Sequence, residues 1–285
     1  MSVGAVIRRL RDEDLDAAYA VLVDAHEQLY GEPQLTRGMF ENLVAIGRGH
    51  VAASSSGIVG AGIVNRDFGR LWVLRAERRR GVGTTLLQAL ERDAAIGVLR
   101  FAAPTVDPGG AAFLAANGYR KLAEIWLLGI DLDAEPEPPE WPDGVAVRTF
   151  DPDDAVAVKR LLDDAYSSGE PDYEPLPFDD WRTFMLGDPS YDPSAWFLAA
   201  AGDEIVGAAL TWKEGFVKDL VVSPHWRRRG LGKALMLRTF AEFRDRGIER
   251  VTLKTDSTNP TQAVRLYEHL GMAIERTDEV FEKRL

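Results

Sequence analysis

The chain contains no cysteine. Disulfides, thiolate metal sites and a cysteine nucleophile are thereby excluded. Histidine is scarce, and His26, His50, His225 and His269 show no metal-ligand spacing. No apolar run approaches the ~20 residues needed to cross a bilayer, and the opening MSVGAVIRRL reads as a first strand rather than a signal peptide. The expected location is cytoplasmic, with no membrane partner. There is no G-x-x-x-x-G-K-[ST] phosphate loop. Gly60-Ala61-Gly62 starts like a dinucleotide fingerprint, but no third glycine follows and it sits inside a strand pattern. Positive charge is also in deficit: 34 Lys and Arg against 45 Asp and Glu leave a net charge of −11. A general nucleic-acid binder would be basic, so no nucleic-acid partner is expected.

What remains is a composition of 46% hydrophobic and 28% charged residues over 285 positions, enough for two ordinary globular domains. Residues 134–144, AEPEPPEWPDG, are too rich in proline and acid to continue a helix or a central strand. They read as a linker between domains 1–133 and 145–285. The two halves share an order of elements. The first runs strand (5–9), helix (from Asp12), helix (from Thr36), strand (50–53), a hairpin-like pair (58–64 and 71–74), helix (after Gly81), strand (98–102), helix (110–116) and a strand pair ending near Asp131. The second runs strand (145–149), helix (from Pro152), helix (near Trp181), strand (196–200), hairpin (205–212 and 216–222), helix (after Gly230), strand (251–254), helix (from Pro260) and a last stretch over 272–285. Helices mixed with both hairpins and crossovers imply an α/β fold, with a mixed sheet in each of two tandem domains.

The repeat is sharpest at two turns. Residues 78–87 read RRRGVGTTLL and residues 227–236 read RRRGLGKALM. Each follows an apolar strand and opens an amphipathic helix. A helix N-terminus carries partial positive charge and unpaired N–H groups, so arginines crowded against it are unfavourable unless an anion sits there. Gly81 and Gly83, like Gly230 and Gly232, let a ligand approach the backbone. Such a turn offers N–H donors, helix dipole and guanidinium charge to a phosphate group.

This order, with an R-x-x-G-x-G turn after the fourth strand, resembles the GNAT superfamily of acyl-CoA-dependent N-acetyltransferases, here as two GNAT-like domains in tandem. The resemblance implies that acetyl-CoA is a co-substrate whose pyrophosphate lies on Arg227, Arg228, Arg229, Gly230, Leu231, Gly232 and Lys233. It places the pantetheine arm beside Leu220, Val221 and Val222, with a backbone N–H there, that of Leu220 or Val221, on the thioester carbonyl. In the first domain it implies the same role for Val73, Arg78, Arg79, Gly81, Val82, Gly83 and Thr84. Residues 259–271, NPTQAVRLYEHLG, resemble the family's second CoA-side helix. By that resemblance Asn259 contacts the cofactor arm and Tyr267 protonates the leaving thiolate, a role a positioned phenol can fill.

The halves then diverge. Gly81 and Gly230 are 149 positions apart, and Gly118 and Gly271 are 153 apart. On the second offset Leu114 stands opposite Tyr267 and Val106 opposite Asn259. The first domain keeps an anion-binding turn and lacks the proposed acid, which implies catalytic degeneracy. An alkyl amine with a pKa of about 10 must lose a proton before it attacks. Phe216 occupies one common position of the family's glutamate base, so Asp219 on the same strand is the substitute. Asp163, Asp164, Glu170, Asp172, Glu174, Asp179 and Asp180 surround Tyr166, Tyr173, Phe178 and Trp181 in the region the family uses as acceptor wall. Acids with aromatics suit a cationic small-molecule amine.

These readings point to direct acetyl transfer to a primary amine in the second domain. The GVAVRTF start of that domain is similar to tandem members of the mycothiol synthase kind, from which Phe216 departs. Antibiotic and polyamine acetyltransferases, and a non-catalytic acyl-CoA sensor, remain alternatives.

Overall fold

The structure is a computed structural model in which residues 5–94, 97–168, 173–258 and 263–285 are described. The chain forms two compact units, Met1–Glu124 with Asp278–Leu285, and Ile125–Thr277.

The first unit contains β1 (Val6–Arg9), α1 (Leu15–Tyr30), α2 (Arg37–Ile46), β2 (Arg48–Ser54), β3 (Gly57–Asn65), β4 (Phe68–Val73), α3 (Val82–Asp93), β5 (Val98–Pro104) and α4 (Pro108–Ala116). β1 to β4 pair antiparallel in sequence order, and β4 pairs parallel with β5. After β6 (Arg120–Asp131), the second unit repeats the series: β7 (Val145–Thr149), α5 (Ala155–Ser167), α6 (Phe178–Leu186), β8 (Phe197–Ala201), β9 (Glu204–Trp212), β10 (Phe216–Val222), α7 (Leu231–Asp245), β11 (Arg250–Asp256) and α8 (Ala263–His269), then β12 (Ala273–Arg284). β7 to β10 are antiparallel neighbours, and β10 pairs parallel with β11.

Both units are built by the same local devices. At the end of each first strand an arginine forks onto the aspartate that opens the first helical segment: Arg8 onto Asp14 at 2.5 and 2.7 Å, Arg148 onto Asp154 at 2.5 and 2.7 Å. These guanidinium bonds hold both carboxyls below the usual aspartate range. Side chains then alternate across the sheet. Leu71 and Val73 of β4 pack with Val82 and Leu86 of α3, while Trp72 turns to the opposite face against Phe40 of α2. The glycines of the false fingerprint have a packing reason. A Cβ on Gly60 or Gly62 would stand 2.9 Å from Leu86 or Leu90 of α3. Gly207 plays this part in the second unit, beneath Leu231 and Leu235 of α7.

The compact units depart from the boundaries at 133 and 145. The expected strand pair ending near Asp131 is one strand, β6, whose residues 125–131 pair with β11. Residues 278–284 of β12 pair with β5. The last strand of each repeat therefore completes the sheet of the other. The segment 134–144 belongs to the second unit, where Leu132 joins the core and Trp141 packs beside Phe197 and Leu231. Periodicity marks a segment as a strand but does not say which edge it joins.

This exchange makes the first unit depend on the C-terminus. Phe281 is buried with Leu87, Leu90, Phe101 and Tyr119. Phe281→Ala is expected to cost about 3–5 kcal/mol. Hydrogen exchange should show the loss at β5 in the first unit, while β9 and β10 keep their protection.

Candidate active site

Parallel strands β10 and β11 pair only at Phe216–Thr252 and Val217–Leu253. A register shift between Val217 and Asp219 marks a bulge, and β10 then stays with β9 as far as Val222. From Asp219 onward the strand leaves its β11 edge unpaired, so a wedge opens between two parallel strands. Ser223 N–H donates to Val206 on the β9 side at 2.9 Å. Alternation along the strand therefore turns the N–H groups of Leu220 and Val222 into the wedge and that of Val221 away from it. Of the two backbone donors considered from sequence, Leu220 has the right orientation.

The mouth of the wedge is the arginine–glycine turn. Gly230 precedes α7 in left-handed geometry (φ 83°), and so does Arg228 (φ 62°). Gly81 (φ 85°) and Arg79 (φ 63°) repeat this in the first unit. A non-glycine residue in this region costs about 1–2 kcal/mol, and strain of this kind persists where the backbone must present a particular surface. A Cβ on Gly230 would meet nothing within 4 Å, so the space before α7 is open. The helix starts with the free N–H groups of its first turn facing that space. The second glycine serves packing: a Cβ on Gly232 would meet Leu266 of α8 at 3.3 Å. Leu231 and Val82 are buried core residues and offer only their backbone.

The arginines divide their work. Arg227 does not point into the open space. Its guanidinium donates to Val222 O (3.3 Å), Ala165 O (3.1 Å) and Ser168 Oγ (2.9 Å), tying the turn to its strand and to α5. Arg78 likewise holds Val73 O at 3.2 Å. Arg229 lies over the Trp226 ring at 4.8 Å, and Lys233 pairs with Glu137 at 3.1 Å. Arg228 and Arg79 are exposed beside the turns. Thr84, opposite Lys233, is half-buried in the first turn of α3.

At the apex of the wedge Asp219 is buried. Its carboxylate receives the Tyr166 hydroxyl at 2.6 Å and the Lys218 ammonium at 3.3 Å. Tyr267 of α8 is buried, with its ring among Leu128, Val217, Met236 and Leu253. Burial, then the Asp219 charge, raise the phenol of Tyr267 well above its ordinary range, and the same causes in the same order raise Tyr166. Both phenols are held protonated at neutral pH. Leu114, opposite Tyr267, is buried and apolar. Asn259 lies outside the described residues, as do Glu170 and Asp172.

Beside Asp219 is a cavity of about 160 Å³ whose walls include Lys159, Asp163, Tyr166, Tyr173, Trp181 and Lys218. It is less acidic than the sequence suggests. Asp163 takes both a lysine, Lys159, at 2.5 Å and the Tyr173 hydroxyl at 3.0 Å. Asp164, Glu174, Asp179 and Asp180 are exposed. Tyr166, expected only as part of the acceptor wall, is the residue that bonds Asp219. Its position three residues after Asp163 on one helix face was the available signal. Lys218 had none.

The wedge of the second unit, the turn at its mouth and Tyr267 all lie within a stretch that matches a family model. The acetyltransferase (GNAT) family model fits residues 155–272. The chain belongs to this family of acetyltransferases. The curated mycothiol acetyltransferase of Actinosynnema mirum is 32% identical over 251 residues, covering 82% of this chain and 83% of that protein. Among solved structures, a GCN5-related N-acetyltransferase from Sphaerobacter thermophilus has a TM-score of 0.76 at 24% identity and covers 98% of this chain and 95% of its own. A tandem GNAT protein from the clavulanic acid biosynthesis pathway has a TM-score of 0.73 at 18% identity and covers 98% of both. These neighbours share the two-domain α/β fold. No described helix is long and apolar enough to cross a membrane.

The two phenols set an alkaline limit. Tyr166 and Tyr267 bind their protons more tightly folded than unfolded, so their contribution is present below pH 10, the ordinary phenol value, and is lost as pH rises beyond it. Denaturant unfolding should show stability falling above that pH. In Asp219→Asn, ultraviolet titration should show both phenols ionising at lower pH than in the parent, because one of the two causes common to both is gone.

Proposed function

We propose that the chain is an acetyl-CoA-dependent N-acetyltransferase whose active site is the wedge of the second unit, and that it acetylates a primary amine by direct attack. The observation that carries this reading is the convergence of Tyr166, Asp219 and Tyr267 at the point where β10 leaves β11. An acetyl thioester, when bound, supplies the acyl group. The turn before α7 fits its diphosphate, since Gly230 leaves the approach open and the first N–H groups of α7 are unpaired. Arg227 holds that turn in place, and the exposed Arg228 adds charge at its rim.

The chain's own groups then divide the proton work. Asp219 accepts a proton from the amine, directly or through the Tyr166 hydroxyl already bonded to it. The Leu220 N–H polarises the thioester carbonyl from the wedge edge of β10. Tyr267, protonated at neutral pH, donates to the departing sulfur, which leaves poorly as a free thiolate. With no cysteine in the chain, a cysteinyl-enzyme route is excluded, and transfer in one ternary complex is the simplest scheme.

The names of the curated relatives favour an acceptor of the mycothiol type over an antibiotic or a polyamine. The cavity beside Asp219 suits a polar amine, because its acids are matched by Lys159 and Lys218. A strongly cationic acceptor would find little unpaired negative charge there. In the first unit the turn is retained and Leu114 replaces the phenol, so this unit binds a CoA thioester without transferring its acyl group.

Initial rates over an amine panel test the assignment. Tyr267→Phe should lower kcat by about a hundredfold or more with little change in acetyl-CoA affinity. For Asp219→Asn the deficit should be large at about pH 7 and shrink toward about pH 9, as more of the amine loses its proton unaided. Gly230→Glu should abolish turnover and Gly81→Glu should leave it nearly intact. Unchanged turnover in Tyr267→Phe, or a dead Gly81→Glu enzyme, would contradict the division of labour. Acetyl-CoA binding without turnover on any amine would mark a sensor instead.

A further inference from the structure

The first unit has the same wedge, with a different residue at its apex. β4 and β5 pair parallel only at Phe68–Arg100 and Gly69–Phe101. From Arg70 onward β4 stays with β3 and leaves its β5 edge unpaired. Leu74 N–H donates to Val59 on the β3 side at 3.0 Å, so the N–H groups of Leu71 and Val73 turn into this wedge, as those of Leu220 and Val222 do in the second unit. Counting back from the paired glycines, Arg70 occupies the place of Asp219. On the facing helix, His26 holds the place of Tyr166, and it accepts a bond from Trp72 Nε1 at 3.1 Å.

Arg70 is half-buried, with its guanidinium 5.2 Å from the centre of the Phe68 ring. No hydrogen bond or ion pair reaches that guanidinium among the described residues. Burial alone draws its pKa down to about 10, with no carboxylate to oppose the shift. The acid beside it in sequence, Asp67, is taken by Arg100 at 2.6 Å. The guanidinium keeps contact with solvent and is free to take an anion from outside the chain. Its five donors in a planar fork match a carboxylate. Where the second unit puts a carboxylate to receive an amine, the first puts an unsatisfied cation.

We propose that the first unit's wedge binds a CoA thioester whose acyl chain ends in a free carboxylate, with that carboxylate on Arg70. This rests on the reading of the Arg78–Gly83 turn as a CoA site and adds the class of acyl group it selects. A dicarboxylic acyl thioester spans both features: diphosphate at the turn, carboxylate at the apex. A plain acetyl group would leave Arg70 as unpaired as it is now. The site discriminates by charge, and Leu114 in place of a phenol leaves it without the acid that transfer requires.

The test is calorimetry on the full chain carrying Gly230→Glu, which blocks the second turn. The ligands are succinyl-CoA, acetyl-CoA and free succinate. Succinyl-CoA should bind about tenfold or more tighter than acetyl-CoA. Arg70→Gln should erase that preference and leave acetyl-CoA affinity in place, while Arg70→Lys keeps part of it. Equal binding of the two thioesters would overturn the proposal and leave the turn's reading standing. Failure of both thioesters to bind would overturn both. Succinate binding as tightly as its thioester would overturn the thioester assignment. Thermal melting guards against a folding artefact. Arg70→Gln should melt close to its parent, because no hydrogen bond or ion pair is lost with the half-buried guanidinium. A steep fall would make Arg70 a structural residue and overturn the proposal.

Discussion

Two parallel strands that begin as neighbours and then part are the constraint on which the site depends. β10 keeps its partner on one edge as far as Val222 and loses it on the other after Val217. Buried backbone N–H groups are nearly always paired, so a strand edge left open inside a fold calls for a partner from outside it. The parting exposes the Leu220 N–H, lets the bulge bring Asp219 to the apex and gives Tyr267 of α8 electrostatic access to that carboxylate. The strained turn before α7 stands at the open end of the same wedge. Removing the parting would close the sheet and leave none of these groups with a role.

Electrostatics at the apex follow from burial. Asp219 is buried, and its carboxylate receives the Tyr166 hydroxyl and the Lys218 ammonium, as a buried polar group requires. The carboxylate charge, added to burial, keeps Tyr166 and Tyr267 protonated. A phenol held protonated beside a carboxylate is what the proposed transfer asks of its acid. The first unit breaks the pattern at both places, with Arg70 for the carboxylate and Leu114 for the phenol. One architecture therefore presents opposite charge at its two apices.

Much of this was legible in the sequence. The strand–turn–helix setting of the two arginine–glycine segments fixed the repeat, because glycine at the left-handed position and an amphipathic helix after it leave few alternatives. β7 and β10 begin and end where alternation placed them. Asp219 was legible only as the substitute for a strand glutamate, and Tyr267 only through the resemblance of residues 259–271. That Asp219 is buried and takes the Tyr166 hydroxyl was not legible. The strand exchange was not legible, since β6 and β12 carry the same alternation whichever edge they join. Nor was the duty of Arg227 and Arg78. A guanidinium in a phosphate-binding pattern looks the same in sequence whether it grips the ligand or the loop. Of the acids in the acceptor wall, Asp163 is matched by Lys159, four residues before it on the same helix face.

The central claim is that the turn before α7 grips the diphosphate of coenzyme A. A crystal structure of the full chain grown with acetyl-CoA measures this directly. The account predicts diphosphate oxygens within hydrogen-bond reach of the N–H groups from Gly230 to Lys233, with the acyl carbonyl on the Leu220 N–H. A diphosphate bound away from that turn, or a cofactor lying outside the β10–β11 wedge, would contradict it.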